Sequence, residues 1–352
     1  MDRAAGAPPP RAPLGPAAVH RQSPGSPPEK TREGVAGRAA TAARCRSSQG
    51  PEGPDLRPGR WSMTAHRPAV EPGPRYVKGH CGGDGFLLLL DPGNRVALTE
   101  DAIRGLCHPR TGLGGDGLLR LTAAGPGKGS ARPRGEWFVD CRDADGSHSL
   151  ACGPGAGFVA RYLTVAGLAG PGALWIGTRA GDQRVTVDAK GRTTVEMPTP
   201  LVLGTAGVTA DGQSFPGTLV SLGALHLVCV IDTPVSYLDF TKEPQPDTAA
   251  FPKAVGVLVP SADMVFVNVL PRGSLRVRAY RPGAGEIRAG GAAACAAAAA
   301  VQHAAGRRET TVVENVTGPL TVALDASAVT LLTGSAGVAA EGVLDARWLA
   351  AL

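Results

Sequence analysis

From Arg75 onward the chain is a succession of short apolar runs, most of them closed by a glycine, and a chain punctuated in this way has to assemble its core from strands. The runs are Phe86–Leu90, Leu118–Leu121, Glu136–Cys141, Leu174–Thr178, Arg184–Asp188, Thr193–Met197, Thr218–Ile231, Val255–Val259, Met264–Leu270 and Leu275–Tyr280, then Thr310–Glu314, Leu320–Leu324, Val329–Thr333 and Gly337–Val343. Helical spacing is confined to Thr99–Leu106, with Thr99 placed to cap it, to Gly155–Ala166, and to the alanine run after Gly291. The fold class expected is therefore α/β, rich in strand and poor in helix.

The first 74 residues are of another kind. They hold 14 of the 31 prolines, one aromatic residue, Trp61, and no apolar period, so they read as a disordered Pro/Gly/Arg-rich leader, or as a start assigned too early with Met63 the internal alternative. They also carry 11 Lys/Arg against 6 Asp/Glu, whereas residues 75–352 carry 25 against 24. The basic balance thus belongs to the leader, and nothing in the folded part points to nucleic acid. The longest apolar run, Ala292–Val301, is about half a membrane span. Seven cysteines, at 45, 81, 107, 141, 152, 229 and 295, contain no C-x-x-C pair, so neither a disulfide framework nor a zinc site is read from them. A reducing cytoplasm is the expected compartment.

The chain also repeats itself. At an offset of 138 residues, Ala151-Cys152-Gly153-Pro154-Gly155-Ala156 falls on Ala289-Gly290-Gly291-Ala292-Ala293-Ala294, and each copy follows a strand and a glycine-containing turn. Two lobes are expected, residues 75–205 carrying Cys152 and residues 206–352 carrying Gly290, with terminal strands free to cross between them. Each lobe presents a helix N-terminus to a common cleft, where unpaired N–H groups and the helix dipole attract an anion. Cys152 stands at one such N-terminus, which favours its thiolate and suits it to remove a proton beside a bound carboxylate; the plainer alternative is a small residue packed under a turn. The loop Gly114-Gly115-Asp116-Gly117 leads into a strand and reads as a tight turn, not as a phosphate loop. The seven histidines lack ligand spacing, so no metal site is expected, and His226 reads as a satisfied core residue.

Lys78-Gly79-His80 with Phe86, Leu106-Cys107 through Thr111 to Gly117, Ala144-Asp145-Gly146-Ser147 with Ala151-Cys152-Gly153, Phe251-Pro252 with Val255, and Gly283-Ala284-Gly285-Glu286 together resemble the diaminopimelate epimerase family, in a GC-rich, actinobacterial type of composition. The resemblance implies two pseudo-symmetric lobes, each a curved, mainly antiparallel sheet around a central helix. It also implies inversion at an amino-acid α-carbon without cofactor or metal, by two cysteines on opposite faces of the substrate. One thiolate takes the α-proton while the other thiol returns one, and the helix N-termini hold the α-carboxylate.

Cys152 matches the first cysteine of that pattern, but Gly290 occupies the second position. The positions implied for substrate recognition are Asp84, Asp143, Gly153, Pro154, Ala224, Gly256, Arg281, Gly291 and Ala292. Asparagines of the pattern are replaced at Asp84, Asp143, Pro154, Ala224 and Gly256, and a Glu-Arg pair by Arg281-Pro282. Three readings follow: an isomerase with an altered substrate and one thiol, with Asp84 or Asp143 a candidate second acid/base; a non-catalytic paralogue that keeps the fold as a binding module; or a weak epimerase of the original specificity in lysine or peptidoglycan biosynthesis. The partner expected is a small, amino-acid-like molecule, with a homodimer among the assemblies considered and neither nucleic acid nor membrane implied.

Overall fold

The computed structural model describes residues 72–125, 134–149, 152–251, 262–287, 290–314, 318–324 and 329–352. The strand reading of Val255–Val259 and the site position Gly256 lie outside them. Two sets of strands surround two buried helices. The first set is β1 (Pro72–Cys81), β2 (Asp84–Leu90), β3 (Gly117–Ala123), β4 (Trp137–Asp143), β5 (Gly172–Thr178), β6 (Gly181–Val187) and β7 (Arg192–Met197). Next come β8 (Leu201–Ala210), β9 (Gln213–Ser221), β10 (Leu225–Val230), the short β11 (Gln245–Pro246), β12 (Asp263–Val269) and β13 (Leu275–Arg281). The last are β14 (Gly285–Ile287), β15 (Thr311–Glu314), β16 (Leu320–Leu324) and β17 (Thr330–Asp345). The helices are α1 (Glu100–Cys107), α2 (Gly153–Val165), α3 (Gly291–Ala305) and the short α4 (Ala346–Ala350).

The pairing repeats with the sequence. In the first set β1–β2 is antiparallel, β2–β3 parallel, β3–β4 antiparallel, β4–β5 parallel, and β5–β6 and β6–β7 antiparallel. The same order of pairings recurs through β9, β10, β12, β13, β15, β16 and β17. β4 and β13 begin and end 138 residues apart, as do the first residues of α2 and α3. The two lobes are therefore pseudo-symmetric, as the repeat implies.

β17 joins them. Its first half, Thr330–Ser335, pairs with β7, and its second half, Ala336–Asp345, pairs with β1, so the sheet around α2 closes on itself through one strand. The equivalent stretch in the other half of the repeat is β7 followed by β8. Pro198 and Pro200 interrupt it, because proline gives no N–H to a ladder. The second lobe begins its ladder again at β8–β9, which are antiparallel.

The two central helices are short of polar residues because the strands enclose them. Phe158, Val159, Ala160 and Leu163 of α2 are fully buried, as are Ala294 through Ala298 of α3, and Phe158 stacks on Phe86 with ring centroids 6.2 Å apart. A helix apolar on every side belongs inside, and alanine allows strands to approach it closely from several directions. α1 lies outside this arrangement, capped as expected: the Thr99 hydroxyl accepts the Ala102 amide at 3.0 Å.

Several sequence readings need correction. Thr218–Ile231 is two strands, because Gly223 takes φ 93° and the Leu222 amide turns back to the Ala224 carbonyl. Val329–Thr333 and Gly337–Val343 are one strand, extended straight through Gly334 and Gly337. α2 starts at Gly153, two residues early, since proline is tolerated in a first turn. β1 and β8 are strands that no apolar run announces.

Candidate active site at the facing helix N-termini

Cys152 is the N-cap residue of α2, buried at 8% exposure, and its carbonyl accepts the Ala156 amide at 2.7 Å. Gly290 is the N-cap residue of α3, with φ −71° and ψ −167°, and its carbonyl accepts the Ala294 amide at 3.0 Å. In neither helix does the N-cap residue's own side chain cap the first turn. The N-termini of α2 and α3 meet: a Cβ on Gly291 would stand 2.8 Å from Pro154 Cγ. Gly153 and Pro154 thus form the first turn on one side, Gly291 and Ala292 that on the other, and two positive helix ends converge.

Cys152 does not present a free thiol here. It is joined in a disulfide to Cys141 of β4, with Cα atoms 6.1 Å apart and a sequence separation of 11. The cysteine spacing gives no sign of this bond. The pairing arises because the chain doubles back after β4: Gly146, at φ 91°, closes a turn on Asp143, and the Ser149 amide reaches the Cys141 carbonyl at 3.1 Å. The other described cysteines, Cys81, Cys107, Cys229 and Cys295, are buried thiols that burial pushes up to about 12. Cys295 lies wholly in the core, as expected.

The space in front of Gly290 is filled by Asp84. β1 and β2 form a hairpin whose two turn residues, Gly82 and Gly83, have φ 61° and 97°, the left-handed values that a tight two-residue turn requires. That turn delivers Asp84 to the N-terminus of α3, where its carboxylate accepts the Gly291 amide. A Cβ on Gly290 would overlap the carboxylate, with Asp84 Cγ only 2.6 Å away. Burial and the neighbouring Asp116 raise the Asp84 carboxyl to about 7, against the pull of the Gly291 amide and Arg281. Asp116 is itself held at the mouth of β3, where its Oδ2 accepts the Gly85 amide at 2.6 Å.

Asp143 and Arg281 end β4 and β13 and are equivalent under the repeat. Arg281 makes a two-pronged ion pair with Asp263, at 2.9 Å for each contact, so much of its hydrogen-bonding capacity is already used. Its charge also acts on Asp84, Asp143 and Asp145. Burial raises the Asp143 carboxyl despite Arg281 and the Ser149 hydroxyl. Ala224 sits half-buried in the β9–β10 turn and offers no polar side chain. His226, next on that strand, is 2% exposed as a core residue should be, yet its Nδ1 has no hydrogen-bond partner; burial lowers its pKa. Asp116, Asp263 and Cys141 are the neighbours that sequence reasoning misses. Only the adjacency of β12 and β13 brings Asp263 to Arg281, and no local spacing signals it. A surface cavity of about 280 Å³, lined by Gln302, His303 and Arg307 among others, opens at the far end of α3 and takes no part in this arrangement.

The comparisons agree with the architecture. The family model described as diaminopimelate epimerase matches residues 76–202. The diaminopimelate epimerase of Thermobifida fusca is 35% identical over 274 residues, covering 76% of this chain and 97% of that protein. That of Acidothermus cellulolyticus is 36% identical over 235 residues, covering 60% and 75%. Among solved structures, a hydroxyproline epimerase from Agrobacterium vitis superposes with a TM-score of 0.55 at 15% identity, covering 78% of this chain and 94% of that one. A phenazine biosynthesis protein of the PhzF family from Bacillus anthracis gives 0.54 at 15% identity, covering 77% and 98%. These two likenesses concern the fold. With a relative of this identity matched over nearly its whole length, the chain belongs to the diaminopimelate epimerase family.

Proposed function

We propose that this protein is a cofactor-independent epimerase that moves the α-proton of an amino acid, with Cys152 as one of its two acid/base groups and a substrate other than diaminopimelate in its usual pose. The observation that carries the reading is the meeting of two helix N-termini at Pro154 and Gly291, with Cys152 at one of them. Converging N–H groups suit an α-carboxylate and stabilise the charge that spreads onto it when the α-proton leaves. The substrate carboxylate would accept from N–H groups of the two first turns other than that of Gly291, which Asp84 engages. In this reading the lobe of residues 75–205 contributes the thiol and the lobe of residues 206–352 the second helix N-terminus.

The surroundings argue for a changed substrate. Ala224 has no polar side chain, Pro154 has no N–H, and Arg281 is engaged by Asp263, so donors for a distal carboxylate are few among the described residues. Asp84, Asp116, Asp143 and Asp145 instead crowd the area with carboxylates. An α-amino acid whose far end is cationic fits this field better than one ending in a second carboxylate. A site built for hydrogen bonds it can no longer make rejects the original ligand strongly. The disulfide supports a second reading, in which the chain is a non-catalytic member of the family and Cys152 serves only structure.

A panel of amino acids incubated in heavy water with the reduced protein separates these readings. Loss of the α-proton signal is expected for cationic amino acids at least tenfold faster than for LL-diaminopimelate. Equal or faster exchange of diaminopimelate would contradict the altered substrate, and no exchange by any member of the panel would favour the non-catalytic reading.

A further inference from the structure

We infer that Asp84 is the second catalytic acid/base, taking the place of the thiol that position 290 lacks. The inference rests on the reading of Cys152 as the first. Its basis is geometric. Residues 152 and 290 are equivalent under the repeat, each the N-cap residue of the central helix of its lobe, so position 290 marks the second of the two helix N-termini. Position 290 has no side chain, and the carboxylate of Asp84 occupies the volume its Cβ would take, anchored there by the Gly291 amide. A proton-transferring group therefore stands at the second helix N-terminus, delivered by the β1–β2 turn and not by the helix itself.

The neighbours of Asp84 set its protonation. Asp116, placed before β3, and Asp143, ending β4, oppose its charge; Arg281 of β13 and the Gly291 amide favour it; Cys81 of β1 stays a buried thiol. The balance, with burial, leaves the carboxyl near 7, where both protonation states are populated and a group serves as base or acid equally well. Asp143 is less suited to the role, since the described contacts give it no place against either helix N-terminus.

The steps balance. From one epimer, the Asp84 carboxylate accepts the α-proton: the C–H bond breaks, an O–H bond forms, and the electron pair passes onto the substrate carboxylate held at the helix ends. The Cys152 thiol then gives its proton to the opposite face of the α-carbon, leaving a thiolate. The reverse direction uses the Cys152 thiolate as base and the Asp84 carboxylic acid as donor. Solvent returns each group to its starting state.

The test is α-proton exchange in heavy water, measured separately for the two epimers of a substrate from the panel, in reduced wild type and in Asp84→Asn, Asp84→Glu and Cys152→Ala. Wild type should exchange both epimers. Asp84→Asn should slow one epimer by ~10²–10⁴-fold and leave the other within severalfold, Cys152→Ala should do the opposite, and Asp84→Glu should recover part of the lost exchange. A merely structural role would slow both epimers alike, without rescue by glutamate, and that pattern overturns the inference, as would undiminished exchange of both epimers by Asp84→Asn. A wild type inert toward both epimers of every substrate tried would instead remove the underlying reading, and this assignment with it.

Discussion

Protein kept free of reductant is expected to show ~10²-fold or more lower α-proton exchange of the epimer that Cys152 deprotonates than the same protein after dithiothreitol, the range lost when one positioned acid/base is removed. The reason is the bond between Cys141 and Cys152, which leaves the N-terminus of α2 without a thiol to give or take a proton. Cys141→Ser should be active without reductant. Alkylation reports the same event independently. Before reduction iodoacetamide should leave Cys152 unmodified. Afterwards it should reach Cys152 ahead of Cys81, Cys107, Cys229 and Cys295, which are 4% exposed or less and whose thiols burial holds near 12. Full exchange of both epimers with the disulfide intact would show that Cys152 is not an acid/base group.

Gly290→Cys introduces the residue that the resemblance implies for this position and is nevertheless expected to lose stability and gain no turnover. The backbone at 290 accepts any residue, since φ is −71°, so the obstacle is space and not conformation. The new Cβ would overlap the Asp84 carboxylate, which the Gly291 amide holds in place. Forcing atoms into an occupied site typically costs about 1–3 kcal/mol. In differential scanning fluorimetry this should appear as a clear fall in Tm. Combining Gly290→Cys with Asp84→Ala should return much of the loss, because the two changes share one volume and their effects cannot add. An unchanged Tm together with raised turnover in the single variant would mean that the space in front of residue 290 is open.

Most strands and all three major helices are legible because they leave local traces: alternation in Thr193–Met197, a Thr99 cap, an apolar period through Phe158 and Leu163. The repeat is legible because both lobes place small residues where the central helix begins. β1 and β8 are not, because glycine and proline fill Pro72–Cys81 and glycine breaks Leu201–Ala210; their partners β17 and β9 make them strands. At the site, the resemblance implies a thiol at position 290, where Gly290 stands, but the sequence gives no sign of the carboxylate that lies against that position. Asp84 lies about two hundred residues away, and only the positive-φ turn at Gly82-Gly83 carries it to α3. The Cys141–Cys152 bond is hidden likewise, since it depends on the chain doubling back through Gly146. His226 reads as a core residue, correctly for its burial, but no pattern in sequence reveals an unpaired Nδ1.

The claim on which the rest depends is that Cys152 moves an α-proton between the two faces of an amino acid. It is tested most directly by following net conversion of one epimer to the other, by chiral chromatography, with reduced wild type and reduced Cys152→Ala side by side on the substrate that exchanges fastest. Wild type should approach the same mixture from either epimer, and Cys152→Ala should be slower by ~10²–10⁴-fold in both directions, because conversion needs both groups even where exchange needs only one. Equal rates for the two proteins would contradict the account.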